Sequence, residues 1–418
     1  MKIAIIGTGI AGMTAAHRLH REHDITVFEA NGYIGGHTNT VTVQQAGREY
    51  AVDTGFIVFN DWTYPNFCAL LDELGVASQP SNMSFSVTCE RTGLEYNGNS
   101  LNSLFAQRRN LLRPSFYRML RDILRFNREA PALLAGDDEL TLEAFLREGG
   151  YGREFVEHYI IPMGAAIWSA EPDIMRRFPA RCFAGFFKNH GLLNVAERPQ
   201  WRVIRGGSKR YIECLTAPYA SRIRLNTPVQ AVQRFADHVR VKSRNSEVER
   251  FDAVVFACHS DQALRLLADP SVDERAILGA IPYQENEAVL HTDARLMPKR
   301  RLAWAAWNYH LPATPRLRVP VTYNMNILQS LDAPEPFCVT LNYAEAIDPA
   351  KILYRTVYHH PVYTPESVAA QRRRSYIDGV NRTWYCGAYW YNGFHEDGVR
   401  SALDVVVGID LLRERLAA

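Results

Sequence analysis

Lysine is scarce in this chain of 418 residues. Only six occur (Lys2, Lys188, Lys209, Lys242, Lys299 and Lys351), so 47 basic side chains less these six leaves 41 arginines. Chemistry that needs an ammonium group has few places to find one. Cysteine is thin as well, with seven residues at positions 68, 89, 182, 214, 258, 338 and 386 and no Cys-x-x-Cys pair. This odd, scattered set argues against a disulfide framework or a structural zinc site and suits reduced thiols in a cytoplasmic setting. No uncharged apolar run approaches the roughly 20 residues that span a bilayer. Charge of one sign is lacking too: 47 basic against 45 acidic side chains leave +2, which gives no reason to expect nucleic acid as a partner. With 47% hydrophobic and 22% charged residues, the chain can bury a large core, and its length suggests two domains. Lys2 and the apolar residues through Ala16 imitate a secretory signal, but their glycines do not suit its helical segment.

Those glycines have a better explanation. Residues 2–6 read as a short buried parallel strand, Gly7-Thr8-Gly9-Ile10-Ala11-Gly12 follows, and an amphipathic helix runs to about Arg21. A second strand, Ile25-Thr26-Val27-Phe28, ends at Glu29, seventeen positions after Gly12. Strand, GxGxxG, helix, strand and acid is the order of a dinucleotide site. Gly7 permits a tight turn, Gly9 lets backbone N–H groups approach a diphosphate, and Gly12 lets the helix pack on the strand. The helix N-terminus adds partial positive charge. Glu29 would accept ribose hydroxyls and repel a 2′-phosphate, which disfavours NADP.

A second glycine pair, Gly35-Gly36-His37-Thr38, comes soon after Glu29-Ala30, and Asp53-Thr54-Gly55-Phe56-Ile57 follows a hairpin expected over 41–45 and 49–53. This run resembles the flavin-containing amine oxidase superfamily, which includes phytoene desaturases and protoporphyrinogen oxidases. There a Gly-Gly-Arg lines the diphosphate, so His37 replaces an arginine and a fixed guanidinium contact is lost. The likeness continues through Val203-Ile204-Arg205-Gly206-Gly207-Ser208, opening a helix, and Ile223 to Val229, a strand whose Val229 backbone would meet the adenine. Phe251 to Ala257 reads as another buried strand. Trp384 to Tyr389 and Gly393-Phe394-His395-Glu396-Asp397-Gly398-Val399 resemble the family's closing motif, in which Gly387-Ala388 lie near the ribityl chain and a helix N-terminus points at the flavin. Ala388 stands where the superfamily has an acid. The resemblance implies noncovalent FAD and an α/β architecture: a Rossmann-like FAD-binding domain (1–60, 203–270 and 375–418) with a discontinuous α+β substrate domain (61–202 and 271–374). Residues 101–160 read mostly as helices, and 285–293, 302–309, 321–328 and 337–343 as strands over the flavin.

Within that superfamily the chain is most similar to bacterial "predicted NAD/FAD-binding" oxidoreductases encoded beside relatives of cyclopropane-fatty-acid synthase. Pro162-Met163-Gly164-Ala165-Ala166-Ile167-Trp168-Ser169 and Gly393 to Gly398 carry this likeness. It implies a lipid or fatty-acyl substrate, with a lipid-modifying enzyme as a candidate partner. Between Arg108 and Arg128 seven arginines interleave with apolar residues, which suits peripheral contact with an anionic inner-membrane surface or a solvated helix packed on the body.

In a flavoenzyme the cofactor reacts and the protein orients it. Of the six lysines only Lys188 and Lys299 remain for the place near flavin N5 that amine oxidases of this superfamily fill, and Lys299, between Pro298 and Arg300, reads as a turn; the expected absence of that lysine favours hydride abstraction from carbon. His395 and Glu396 are the candidate acid–base groups, with capping of the helix by Glu396 or Asp397 as the alternative. Trp168, Tyr323, Tyr389, Trp390 and Phe394 are candidates to line an apolar slot, with burial in the core as the alternative. His359-His360 lie on an extended segment where adjacent side chains point apart, so no metal is expected. The expected activity is oxidation or desaturation of an apolar substrate by an FAD-dependent oxidoreductase. An amine oxidase, a redox-neutral flavin-dependent isomerase and a non-catalytic flavin-binding partner are the alternatives.

Overall fold

The computed structural model describes residues 1–136, 139–195, 197–244, 246–314, 316–318 and 320–417. Its organising element is a five-stranded parallel sheet in the order Ile223–Arg224, Asp24–Phe28, Lys2–Ile6, Ala253–Phe256 and Thr383–Tyr385. The central strands are nearly all apolar because both faces are covered: Ile3, Ile5, Ala253 and Val255 pack on one side, Ala4, Val254 and Phe256 on the other. The helix Ile10–Leu19 covers the first face together with the closing helix His395–Ala417. An antiparallel meander, Val229–Arg234, Val239–Ser243 and Val248–Phe251, covers part of the other.

Expectation and structure part at Phe251 to Ala257, read above as one strand. Asp252 splits it, because its backbone N–H donates to Lys2 O and its carboxylate accepts from Lys2 N at 2.7 Å. The meander therefore ends at Phe251, and the parallel strand starts afresh at Ala253. The segment 223–229 is likewise two short strands, separated by a turn in which Asn226 takes φ +52°.

A seven-stranded mixed sheet forms the second layer, in the order Ile352–Pro361, Tyr283–His291, Cys338–Leu341, Val321–Asn324, Trp307–Leu311, Phe85–Cys89 and Leu94–Asn97. Three of these strands were not expected. The stretch 302–309 becomes strand only at Trp307, because Arg301–Ala303 is a 3-10 turn and Trp304 Nε1 donates to Pro298 O at 2.8 Å. Strand also ends at Asn324, whose side chain accepts from Ile327 N and caps the short helix Met325–Leu328. Helices between 101 and 189 pack over this sheet around Phe126, Phe155, Phe183 and Phe187, all essentially without exposure. Among the described residues no helix is long and apolar enough to cross a membrane.

The tightest contact in the parallel layer is at Gly12. A Cβ there would lie 2.1 Å from Gly7 O and 2.9 Å from the Ala257 side chain. Gly12→Ala is therefore expected to lower stability by about 1–3 kcal/mol, as overpacking in a filled core does. Urea denaturation of the two proteins measures it, and an unchanged midpoint would mean that the helix is free to shift.

Candidate active site

The first strand ends in the turn Gly7-Thr8-Gly9, and Gly7 adopts φ +109°, a conformation that only glycine takes without strain. The helix beginning at Ile10 has no acidic residue in its first turn, so no carboxylate of its own offsets its partial positive charge. A Cβ on Gly9 would meet nothing within 4 Å, which leaves the mouth of the turn open. Two further loops close on it. Gly36 lies against the Gly9 Cα, and Ala257-Cys258, at the end of the neighbouring parallel strand, lies against Gly7. Glu29 is buried beside the turn, where it accepts from Thr8 N at 3.0 Å, from the Thr8 hydroxyl, and from Asn31 N at 2.8 Å.

From this turn one continuous cavity of about 1770 Å³ runs between the two sheets. It exceeds the roughly 300–1,000 Å³ of a pocket for a single small ligand, so a dinucleotide and a second molecule fit together. Of the expected cofactor residues, Gly7, Gly9, Ile10, Ala11, Glu29, Ala30, Gly35, Gly36, His37, Gly55, Phe56, Ile57, Val229, Gly387 and Ala388 line it. Four polar atoms on its walls are buried without a partner: His37 Nε2, Tyr363 OH, Tyr389 OH and Trp307 Nε1. Buried polar groups are rarely left unpaired, and a flavin dinucleotide is rich in the donors and acceptors they need. The wall therefore fits FAD: the glycine turn would hold its diphosphate and Glu29 its ribose.

Gly12, Thr38, Gly398 and Val399 do not reach the cavity. Gly12 serves the helix–strand contact, and Gly398 faces Ile10, which a Cβ would approach to 2.6 Å. Thr38 is buried and bonds the Tyr211 hydroxyl at 2.6 Å, whereas Val399 packs in the core with Phe59 and Phe67.

The candidate acid–base pair needs correction. Both Glu396 oxygens are engaged at the start of the helix Pro65–Leu74, accepting from Asn66 N, Asn66 Nδ2 and Phe67 N at 2.6–3.1 Å. Glu396 is a helix cap, held away from the cavity wall. His395 does line the cavity, but its ring stacks on Phe56 with centroids 3.6 Å apart, and its Nε2 bonds the Tyr211 hydroxyl at 2.6 Å. Burial, with His37 adding to it, holds this imidazole well below its usual range. Burial thus favours its neutral form, and the Tyr211 bond and the Phe56 stack hold the ring in one orientation. Asp397 caps its own helix, accepting from Asn392 N and Phe394 N, and burial raises its carboxyl to about 7.

Trp168, Tyr323, Tyr389 and Phe394 line the cavity as expected positions for an apolar slot, but Trp390 does not. The chain makes a 3-10 turn over Ala388–Trp390, which turns the indole into the core beside Phe256 and Tyr385. There its Nε1 donates to Tyr385 O at 2.9 Å, and the Arg374 guanidinium lies over the ring. Sequence reasoning missed His259, His359 and His360, all on the wall beside His37. His259 had a signal: it follows the carboxyl end of a parallel strand, where α/β proteins bind ligands. Glu396→Ala is expected to lower stability by about 1–3 kcal/mol, as loss of a charged hydrogen-bond acceptor does. Flavin reduction by the folded variant should proceed at the parent rate. Slower reduction at unchanged stability would return Glu396 to a catalytic role.

The profile of the flavin containing amine oxidoreductase family matches residues 10–305. A protein assigned as the flavin-containing monoamine oxidase AofH of Mycobacterium tuberculosis is 26% identical over 265 residues, covering 59% of this chain and 54% of that one. Protoporphyrinogen oxidase 2 of Arabidopsis thaliana is 27% identical over 179 residues, 41% of this chain and 33% of its own. The chain thus spans about half the length, or less, of these curated relatives. A fatty acid isomerase from P. acnes that produces CLA superposes with a TM-score of 0.71 at 17% identity, over 97% of both chains. Putrescine oxidase bound to putrescine gives 0.72 at 13% identity, over 98% of this chain and 99% of that one. The structural likenesses establish the two-domain fold, and the match over residues 10–305 establishes the family: this chain belongs to the flavin containing amine oxidoreductases, a family of FAD-dependent oxidoreductases.

Proposed function

We propose that this protein, with FAD bound, oxidises or desaturates an apolar, lipid-derived acyl chain. In this reading residues 1–60, 203–270 and 375–418 form the FAD-binding domain, and 61–202 and 271–374 the substrate domain. One observation carries it. Away from the glycine turn the cavity wall becomes mainly apolar, an arm lined by Leu120, Ile123, Tyr159, Met163, Ile167 and Phe394 with Asn99, Asn127 and Arg198 among them. The arm reaches the surface at Leu101, Leu124 and Val195, which are 78%, 59% and 72% exposed although they line the same cavity.

An ammonium substrate would find no carboxylate in that arm. Among the described residues on the cavity wall Glu29 is the single carboxylate, at the nucleotide end, and no lysine is present. An acyl chain needs neither, because each CH₂ moved from water into such an arm is favourable by about 0.8 kcal/mol. When bound, FAD supplies the hydride acceptor, a proton is released, and O₂ or a quinone takes the two electrons. The protein's part is orientation: Phe56 and His395 make a stacked platform, and Trp168 and Phe186 hold Phe394 at the head of the arm. The P. acnes isomerase acts on a fatty acid within the same fold, which favours redox-neutral isomerisation as the second reading.

The arginine-rich helix Pro114–Glu129 borders the mouth. At 3.6 residues per turn Leu120, Ile123, Leu124 and Asn127 share one face, toward the cavity, and Tyr117, Arg121 and Arg128 fall on the next stripe. Arg121 and Arg128 are 74% and 77% exposed, and their partners are the acids next to them in sequence. This rim suits peripheral docking on an anionic bilayer, where each cation contributes about 1 kcal/mol and salt weakens the attraction.

Anaerobic addition of a phospholipid and fatty-acid extract should bleach the flavin absorbance, whereas putrescine and benzylamine should not. The plug Met163→Trp should slow bleaching about tenfold or more, equivalent to about 1.4 kcal/mol, with the oxidised spectrum unchanged. Faster reduction by an amine would overturn the acyl reading. Product formed anaerobically by catalytic prereduced enzyme, without an acceptor, would move it to the isomerase. In co-sedimentation the protein should bind phosphatidylglycerol-containing vesicles and leave phosphatidylcholine vesicles in high or low salt. The variant Arg121→Glu with Arg128→Glu should stay in the supernatant, and equal binding by that variant would sink the docking surface.

A further inference from the structure

Four histidines that the reaction above does not use gather at the nucleotide end of the cavity. His37 follows Gly36, which rests on Gly9. His259 follows Cys258, which rests on Gly7. The two loops that pack on the glycine turn therefore each carry a histidine next in sequence to the contact, and both histidines line the cavity. His359 and His360 come from the end of the strand Ile352–Pro361, and all four side chains line the cavity. The His37 ring centroid lies 5.3 Å from that of His360 and 6.2 Å from that of His259, and His259 lies 5.9 Å from His359. Among the described residues no three His, Cys, Asp or Glu side chains are placed to hold one metal ion, so these rings form a wall rather than a chelate.

The surroundings define their state. His37 stacks on Tyr358 and His259 on Tyr283, and His360 Nδ1 meets Asn286 Nδ2 at 2.9 Å. The fixed charges on the described cavity wall are Glu29, Arg198 and Arg265. Arg265 is held by Asp261 at 2.7 Å, and Arg198 donates to Asn194 O in the other arm. Both arginines are thus engaged by groups of their own segments. Burial first, and the neighbouring imidazoles second, hold His37 at about 4 and His259 and His360 at about 3. His37, His259 and His360 are thus held toward their neutral forms, and His37 Nε2 is buried without a hydrogen-bond partner.

We propose that this histidine wall, in place of an arginine, supplies the positive charge for the cofactor's diphosphate, so that FAD binds together with protons taken from solvent. The inference rests on the FAD reading above and concerns the charge state of these histidines, which that reading left open. A dianion beside the rings favours their charged form, so binding raises their affinity for protons. The sign follows from linkage. A group whose proton affinity rises on binding takes up a proton wherever the pH lies between its free and bound values. In that window the affinity for FAD falls about tenfold per pH unit for each proton taken up, and it levels off above the bound value.

Calorimetric titration of the deflavinated full chain, in buffers of different ionisation enthalpy at pH values from about 5.5 to 8.5, counts the protons directly. FAD and ADP-ribose should both bind with net proton uptake near pH 6 and more weakly as pH rises. Adenosine, which lacks the diphosphate, should bind without uptake. His37→Arg should bind FAD with less proton uptake and a flatter pH profile, and His259→Gln should reduce the uptake if the first variant fails to fold. FAD binding with no proton uptake and a flat profile would overturn the histidine wall while leaving the cofactor reading intact. Uptake with adenosine equal to that with FAD would also overturn it. No FAD binding at any pH would overturn the cofactor reading itself.

Discussion

Everything in the nucleotide half depends on a contact without side chains. Gly7, Gly12 and the end of the strand Ala253–Phe256 approach so closely that a Cβ on either glycine would collide with backbone. The approach brings the N-terminus of the helix Ile10–Leu19 to the carboxyl edge of the parallel sheet, where its dipole is useful. It also seats the Cys258–His259 loop beside the turn, so that residues some 250 positions apart in the chain meet at one point. A filled Cβ at this point would open both the sheet edge and the ligand cradle.

Around that contact the cavity divides by chemistry. Its nucleotide end carries Glu29, which secures the glycine turn, and His37 with an unpaired ring nitrogen. The other end is made largely by helices of the second layer and is mainly apolar. Phe56 and His395 stand at the junction. The series Thr38, Tyr211 and His395, linked by two hydrogen bonds of 2.6 Å, fixes the imidazole against Phe56 from the rear. A buried series of hydrogen bonds favours one arrangement, because breaking any link leaves a donor or acceptor unpaired.

Arginine is abundant in this protein but is nearly absent from the cavity wall, where histidine takes its place. An arginine at position 37 would carry its charge whether or not a ligand were present, and burying it beside His259 and His360 would be unfavourable. A neutral imidazole avoids that penalty until an anion arrives. The exposed arginines of the helix Pro114–Glu129 likewise lie in solvent, off the cavity wall.

The sequence by itself determined the dinucleotide half. Glycine spacing, strand periodicity and the acid at position 29 are local consequences of backbone sterics, and a chain shows them wherever it is read. Most residues expected on the cofactor wall do line the cavity, because they lie in contiguous runs at strand ends. What only the tertiary structure decided were the directions of side chains in irregular turns and the meeting of distant segments. Trp390 and Glu396 looked like site residues, but a 3-10 turn and the first turn of a distant helix claimed them. His259 and His360 looked incidental until the sheet and the strand Ile352–Pro361 brought them to His37. The apolar arm is likewise invisible in order of sequence, since its walls come from helices whose apolar residues read as ordinary core. A pattern along the chain reports which face a residue shares with its neighbours, and packing alone decides what that face meets.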